Sequence, residues 1–159
     1  MDDQSAPQDK EDPFDLNRFL EAQVGVYDRA LAELQQGRKE SHWMWFIFPQ
    51  IHGLGRSSTA KFYAIKTTKE AEAYLSHPVL GRRLLECSNA LLNLKGTSAS
   101  EIFGFPDDLK LRSSMTLFAS TSAPGSVFSR VIGQYFDGRP DLRTLELLKR
   151  ETRAGFDPS

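Results

Sequence analysis

Residues 41–63 read Ser-His-Trp-Met-Trp-Phe-Ile-Phe-Pro-Gln-Ile-His-Gly-Leu-Gly-Arg-Ser-Ser-Thr-Ala-Lys-Phe-Tyr, and they gather both tryptophans of the chain, two of its three histidines and a Gly-x-Gly turn followed by hydroxyls. These residue types suit a pocket for a flat or anionic ligand. Trp43 and Trp45 offer aromatic surface and Gln50 an amide, while Gly53, Gly55, Ser57 and Ser58 form a turn whose backbone an anion can approach. The same residues also suit a core segment, because Trp43 and Phe46, like Trp45 and Phe48, are three apart and make a helix apolar on every side. Solvent access to an indole separates the two readings.

A second group lies at 107–116. Lys110 and Arg112 flank the apolar stripe Leu111, Met115 and Phe118, and Ser113 and Ser114 form a hydroxyl pair. A half-buried guanidinium pairs with a carboxylate such as Asp107 or Asp108, or it holds a bound anion. If this helix packs beside Trp43–Gln50, an aromatic wall, an amide and a guanidinium share one cleft. The candidate ligand-binding set is therefore Trp43, Trp45, Gln50, Gly53, Gly55, Ser57, Ser58, Lys110, Arg112 and Ser113. For acid or base work the candidates are His42, beside Trp43, with Glu101 and Asp108. Asp107 and Asp108 are adjacent, about 100° apart on a helix, so they do not converge as a pair by themselves.

Several chemistries fail on spacing. Gly53-x-Gly55-x-x-Ser58 has Ser where a dinucleotide fingerprint has its third glycine, lacks the Gly-Lys-Ser/Thr end of a P-loop, and follows Pro49, which cannot donate within a central strand. His42 and His52 are ten residues apart and match no metal-ligand pattern, so no metal and no cofactor are expected. His77 precedes Pro78 and reads as a turn. Cys87 falls on the stripe Leu80, Leu84, Leu91, Leu94, which predicts burial as a small apolar residue. The serine pairs lack a Gly-x-Ser-x-Gly elbow, leaving capping and close packing as their roles.

The elements that must position these groups follow from periodicity. Residues 1–13 carry Asp2, Asp3, Glu11 and Asp12 against Lys10 and read as a disordered acidic tail; their charge of −3 leaves +2 on the rest of a chain whose total is −1. Leu16, Phe19, Leu20, Val24, Tyr27, Leu31 and Leu34 step by three and four, predicting one helix from an Asp15 cap to a Gly37 stop. Ser57 or Ser58, and then Thr67 or Thr68, cap two short helices. Leu80 to Leu94 form a longer helix ending before Gly96. Ser98 or Ser100 starts a single turn, and Pro106-Asp107-Asp108, Pro124 and Arg139-Pro140-Asp141 open three more. No alternating run with hairpin turns occurs. The expected architecture is all-α, one compact domain over 14–150 with roughly six to eight helices in an orthogonal arrangement, and a flexible tail at 151–159.

Composition agrees. At 159 residues with 40% hydrophobic side chains the chain can bury one core, and a pI near 6.3 argues against a general nucleic-acid binder. One cysteine makes no internal disulfide, the N-terminus lacks a signal-peptide pattern, and no apolar run reaches the roughly 18–20 residues of a membrane span. A cytoplasmic location without membrane association is expected. Nothing in the pattern sets an oligomeric state.

Trp43-x-Trp45-x-Ile47-Phe48-Pro49-Gln50, Gly53-Leu54-Gly55-x-Ser57, Ala60, Tyr63-x-Ile65 and Asp107-Asp108-x-Lys110-Leu111-Arg112-Ser113-Ser114-Met115-Thr116-Leu117-Phe118 together resemble the bacterial domain-of-unknown-function family 1810. The resemblance runs from about Phe14 to Leu148. It implies a multihelical single domain and brings no catalytic residues. Some members carry the label calpastatin, yet inhibitory calpastatin repeats are disordered and polar, unlike this chain. The leading expectation is a binding domain for a small nucleotide-like or anionic molecule. An enzyme acting on a nucleotide or ADP-ribosyl substrate is the alternative; a protein-interaction module, using an exposed apolar patch on the Val127–Phe136 helix, is a third.

Overall fold

The computed structural model describes the backbone of residues 12–156 and side chains through Glu151. Ten helices lie among the described residues, more than the six to eight expected: α1 Asn17–Gln23, α2 Tyr27–Gln36, α3 Met44–Ile47, α4 Ser58–Tyr63, α5 Thr68–Ser76, α6 Leu80–Asn93, α7 Ala99–Phe103, α8 Asp107–Ser120, α9 Val127–Phe136 and α10 Leu142–Phe156. No strand forms among these residues, only one isolated parallel bridge between Ile51 and Ile65. The class is all-α. The excess arises where one expected helix becomes two and where the aromatic segment adds a single turn.

The first helix is corrected in detail. Its apolar stripe continues through Val24, but Gly25 takes φ +72°, a left-handed conformation that glycine reaches without Cβ strain, and the helix breaks there. Asp15 is not the cap; it sits at φ +53°, and Asp12 instead accepts the backbone N–H groups of Leu16 at 2.7 Å and Asn17 at 3.0 Å. Gly37 does stop α2, at φ +80°. The other expected starts resolve to Ser57, Thr67, Ser98 and Ser126, each with its side-chain oxygen accepting a backbone N–H in the first turn. At the other end α10 runs to Phe156, into the segment expected to be a flexible tail, while the acidic residues before Asp12 lie outside the described ones.

Helix α8 is central. Leu111 and the run Ser113–Phe118 are buried along it, and it packs on α5, α7, α9 and α10. Helix α6 lies against α2, α5 and α9. Gly81 makes the α5–α6 approach possible, since a Cβ there would stand 2.0 Å from the Leu75 carbonyl oxygen. The aromatic face of α9 that a protein-interaction module would need is not an exposed patch: Phe128, Val131 and Ile132 are buried in its contacts with α8 and α6.

A buried arginine ties the N-terminal helix to the middle of the chain. Arg18 donates to the carbonyls of Phe14, Asp15, Phe62 and Ala64 and forms an ion pair with Glu70 at 2.7 Å, the two side chains being 5% and 3% exposed. A charge is tolerated in such a place only when its donors are met, and here every nitrogen of the guanidinium has an acceptor. The bond to Phe62 and the bond to Ala64 fix the C-terminal end of α4, which forms one wall of the cleft described next.

Candidate functional site

The two tryptophans separate. Trp43 is fully buried, its indole N–H donating to Glu33 Oε1 at 2.8 Å and its ring packed near Phe48 and Phe103. It presents no face to a ligand, so its expected binding role is corrected to a core role. Trp45, two residues on, lies half-buried at the surface with the Lys110 ammonium 5.5 Å from its ring centroid. Lys39 repeats the arrangement inside, 5.0 Å from the Trp43 ring. The two lysines share a single carboxylate: Asp107 accepts Lys39 at 2.9 Å and Lys110 at 3.5 Å. One positive charge therefore remains unbalanced on this side of Trp45.

Trp45 and Lys110 border a small cleft between α3, the 48–55 loop, α4 and the first turn of α8. Gln50, Gly53 and Gly55 line it as expected, and Met44, Phe48, His52, Lys61 and Tyr63 join them. No carboxylate is among its lining residues. The interior is narrow, with about 20 Å³ open to the centre of a water molecule, room for only one or two waters. A ring system does not fit inside.

Backbone geometry holds the cleft open. His52 N–H donates to the Ile65 carbonyl at 2.7 Å and Ile65 N–H to the Gln50 carbonyl at 2.8 Å, which clasps the two ends of the loop that carries α4. Gly53 adopts φ +110°, and the Leu147 side chain lies 3.2 Å from where its Cβ would stand. A Cβ on Gly55 would meet Ala60 Cβ at 2.5 Å, so α4 can fold back over the loop only because this residue has no side chain.

The remaining candidates lie elsewhere. Ser57 caps α4, its hydroxyl accepting Ala60 N–H at 3.0 Å, and Ser58 is exposed; neither lines the cleft. Arg112 faces the other side of α8, donating to the Arg139 carbonyl at 2.8 Å with its guanidinium 5.8 Å from the Phe136 ring. The expected cleft between Trp43 and Arg112 does not form, because two residues along a helix turn a side chain by about 200° and Lys110 takes the facing position. Ser113 is buried and returns its hydroxyl to the Leu109 carbonyl. His42 is exposed, and Glu101 closes a capping box with Ser98. The Asp108 carboxylate accepts the Leu109 N–H. None of these three faces the cleft. His77 Nδ1 accepts the N–H groups of Val79 and Leu80 at the start of α6, and among the described residues no three His, Cys, Asp or Glu side chains converge as for a metal.

Other titratable groups of the core are structural. Burial pushes the Cys87 thiol up to about 12, its hydrogen bond with Tyr27 offsetting this only in part. Tyr27 is itself held far above the ordinary phenol range, by burial and then by its bond with Glu86. Sequence reasoning passed over Lys61 and Glu33. For Lys61 a signal exists: from Ser41 to Lys69 the chain contains no acidic residue, and Glu70, beyond the reach of a helical i,i+4 pair, is the nearest acid in sequence.

Fold and cleft together define a compact multihelical protein with a narrow, lysine-bearing cleft beside one half-buried indole. The chain belongs to the family described as protein of unknown function (DUF1810), which matches residues 13–148. A crystal structure of the conserved hypothetical protein Rv1873 from Mycobacterium tuberculosis is similar at 51% identity and a TM-score of 0.85, covering 87% of this chain and 99% of that one. No functionally curated protein matches the sequence.

Proposed function

We propose that the protein binds a small anionic molecule, whose charged end enters the cleft between Trp45, the Gly53–Gly55 loop, Lys61 and Lys110. The observation that carries this reading is the lining itself: two lysines, one of them sharing its carboxylate with Lys39, and no acid in the wall. An ammonium group without an acid partner, as at Lys61, binds oxyanions, and the indole and the Gln50 amide add apolar and polar contact. The narrow interior favours a carboxylate or phosphate group, with a nucleotide as one carrier of it.

The enzymatic alternative needs an acid or base aimed into the cleft with a partner to orient it. His52 supplies an imidazole there, but no carboxylate stands beside it in the lining. Binding is therefore the reading with more support.

A thermal-shift series with inorganic phosphate, acetate, citrate and adenosine monophosphate tests it. A ligand present at 100 times its dissociation constant raises the melting temperature by about 5–10 °C. We expect such a rise to be lost in Lys110→Ala, weakened in Trp45→Ala and kept in Lys149→Ala, an exposed charge control. A flat response to every anion, or a rise indifferent to Lys110→Ala, would contradict the proposal.

A further inference from the structure

We infer that the anion bound at this cleft is a small soluble molecule bearing a chain of two or more phosphates, one group held between Lys61 and Lys110 and the rest lying across the loop at Arg56. This rests on the binding reading above and adds the charge and extent of the ligand. The stretch between Glu40 and Glu70 holds 29 residues without a single Asp or Glu, where the chain's overall frequency of 21 acids in 159 would place about four. It carries Arg56, Lys61, Lys66 and Lys69, all four exposed. None of them is in an ion pair among the described residues.

Elsewhere on the surface some basic side chains sit beside acids, as Arg29 with Glu33, Arg82 with Glu86, and Arg143 and Arg150 with Glu146, while the exposed Arg38, Lys95, Arg130, Arg139 and Lys149 are also in no ion pair among the described residues. What sets the 41–69 stretch apart is that it holds no acid at all, and Arg56 and Lys61 belong to the loop and helix that build the cleft. Lys61 and Lys110 both line the cleft, and Arg56 directly follows Gly55, another lining residue. Because the interior admits one or two waters' worth of atoms, a second charged group cannot follow the first inward. It must lie along the rim, where Arg56 offers the next guanidinium, whose planar fork suits phosphate oxygens.

Calorimetric titration of the full chain, without divalent cations and at about 50 and 200 mM salt, separates the outcomes, using phosphate, pyrophosphate, tripolyphosphate and a single-stranded oligonucleotide. We expect affinity to rise at least about threefold with each added phosphate and to fall more steeply with salt for the longer chains. Arg56→Ala should weaken pyrophosphate and tripolyphosphate by at least about threefold while leaving phosphate unchanged, and Lys61→Ala should weaken all three. Arg56 is exposed and makes no side-chain hydrogen bond or ion pair among the described residues, so its removal should leave the melting temperature unchanged. Equal binding of phosphate and tripolyphosphate, indifferent to Arg56→Ala, would overturn this inference and leave the cleft reading intact. Failure of every anion would overturn both, and an oligonucleotide that binds more tightly than tripolyphosphate would overturn the assignment to a small molecule.

Discussion

Glu33 shows how a single side chain can organise the segment that carries the site. Its carboxylate is buried, which alone would raise its pKa, yet it accepts Ser41 Oγ–H at 2.6 Å, the N–H groups of Glu40 and Ser41, and the Trp43 indole at 2.8 Å, and these hold it down at about 2. The bonds fix residues 40–43 immediately before α3. Because the folded value lies below the ordinary 4.5, the unfolded chain binds the extra proton, and the stabilisation is complete above about pH 4.5 and disappears as pH falls through about 2. Its size is up to about 3 kcal/mol. Glu33→Gln should therefore lower stability to urea by about 2–4 kcal/mol at neutral pH, with the gap to the wild type narrowing steadily between pH 4.5 and 2. A gap independent of pH would show that the charge is not the source.

This residue also marks a limit of sequence reading. Glu33 falls on a surface-looking position among Glu, Gln and Arg neighbours, and only the fold brings Ser41 and Trp43 over it. Trp43 and Trp45 pose the same difficulty: two indoles in one motif, of which burial takes one and leaves the other, a choice set by the tertiary neighbours Phe48, Phe103 and Lys110 rather than by period.

Among the elements, the caps were the most legible part, because a serine or threonine before an apolar period satisfies a backbone donor whatever the rest of the fold does. Ser57, Thr67 and Ser98 all act this way. Breaks were less legible. The stripe from Leu16 to Leu34 is continuous, and one glycine at φ +72° interrupts it. The face that Arg112 takes on α8 is not legible either: the helix is buried on most sides, so no polar side announces which residues face the cleft.

Close packing between elements gives a clean contrast in two helical glycines. Gly81→Ala would set a methyl 2.0 Å from the Leu75 carbonyl and force α5 from α6, so it should cost several kcal/mol or prevent folding. Gly133→Ala, in α9, meets nothing within 4 Å and should raise stability by about 0.5–1 kcal/mol through helix propensity. Urea denaturation of the two variants measures both. Equal effects would mean that α5 and α6 do not approach as described.

At the scale of the molecule, the cleft exists because distant parts of the chain converge on one loop. Arg18 from α1 holds the end of α4, the Ile51–Ile65 bridge clasps the loop, Leu147 of α10 backs Gly53, and α8 brings Lys110 across to Trp45. Five of the residues singled out from sequence as ligand-binding (Trp45, Gln50, Gly53, Gly55 and Lys110) meet there; of the others Ser57 caps α4, Trp43 and Ser113 are buried, Ser58 is exposed and Arg112 holds the Arg139 carbonyl. The fold is thus legible as helical and compact, and five of the cleft's residues as candidates, while Lys61, one of its two lysines, lies outside the residues singled out.

Anions are expected to bind beside Trp45 and not elsewhere. An amide and indole NMR titration with inorganic pyrophosphate tests this on the unmodified protein. Saturable shifts should appear at the Trp45 indole and at the backbone N–H groups of Gly53, Gly55 and Lys61, with the Trp43 indole, locked on Glu33, unmoved. An absence of shifts at about 10 mM pyrophosphate, weaker than the millimolar affinity that marks the lower end of useful binding, or shifts centred away from the 50–63 loop, would contradict it.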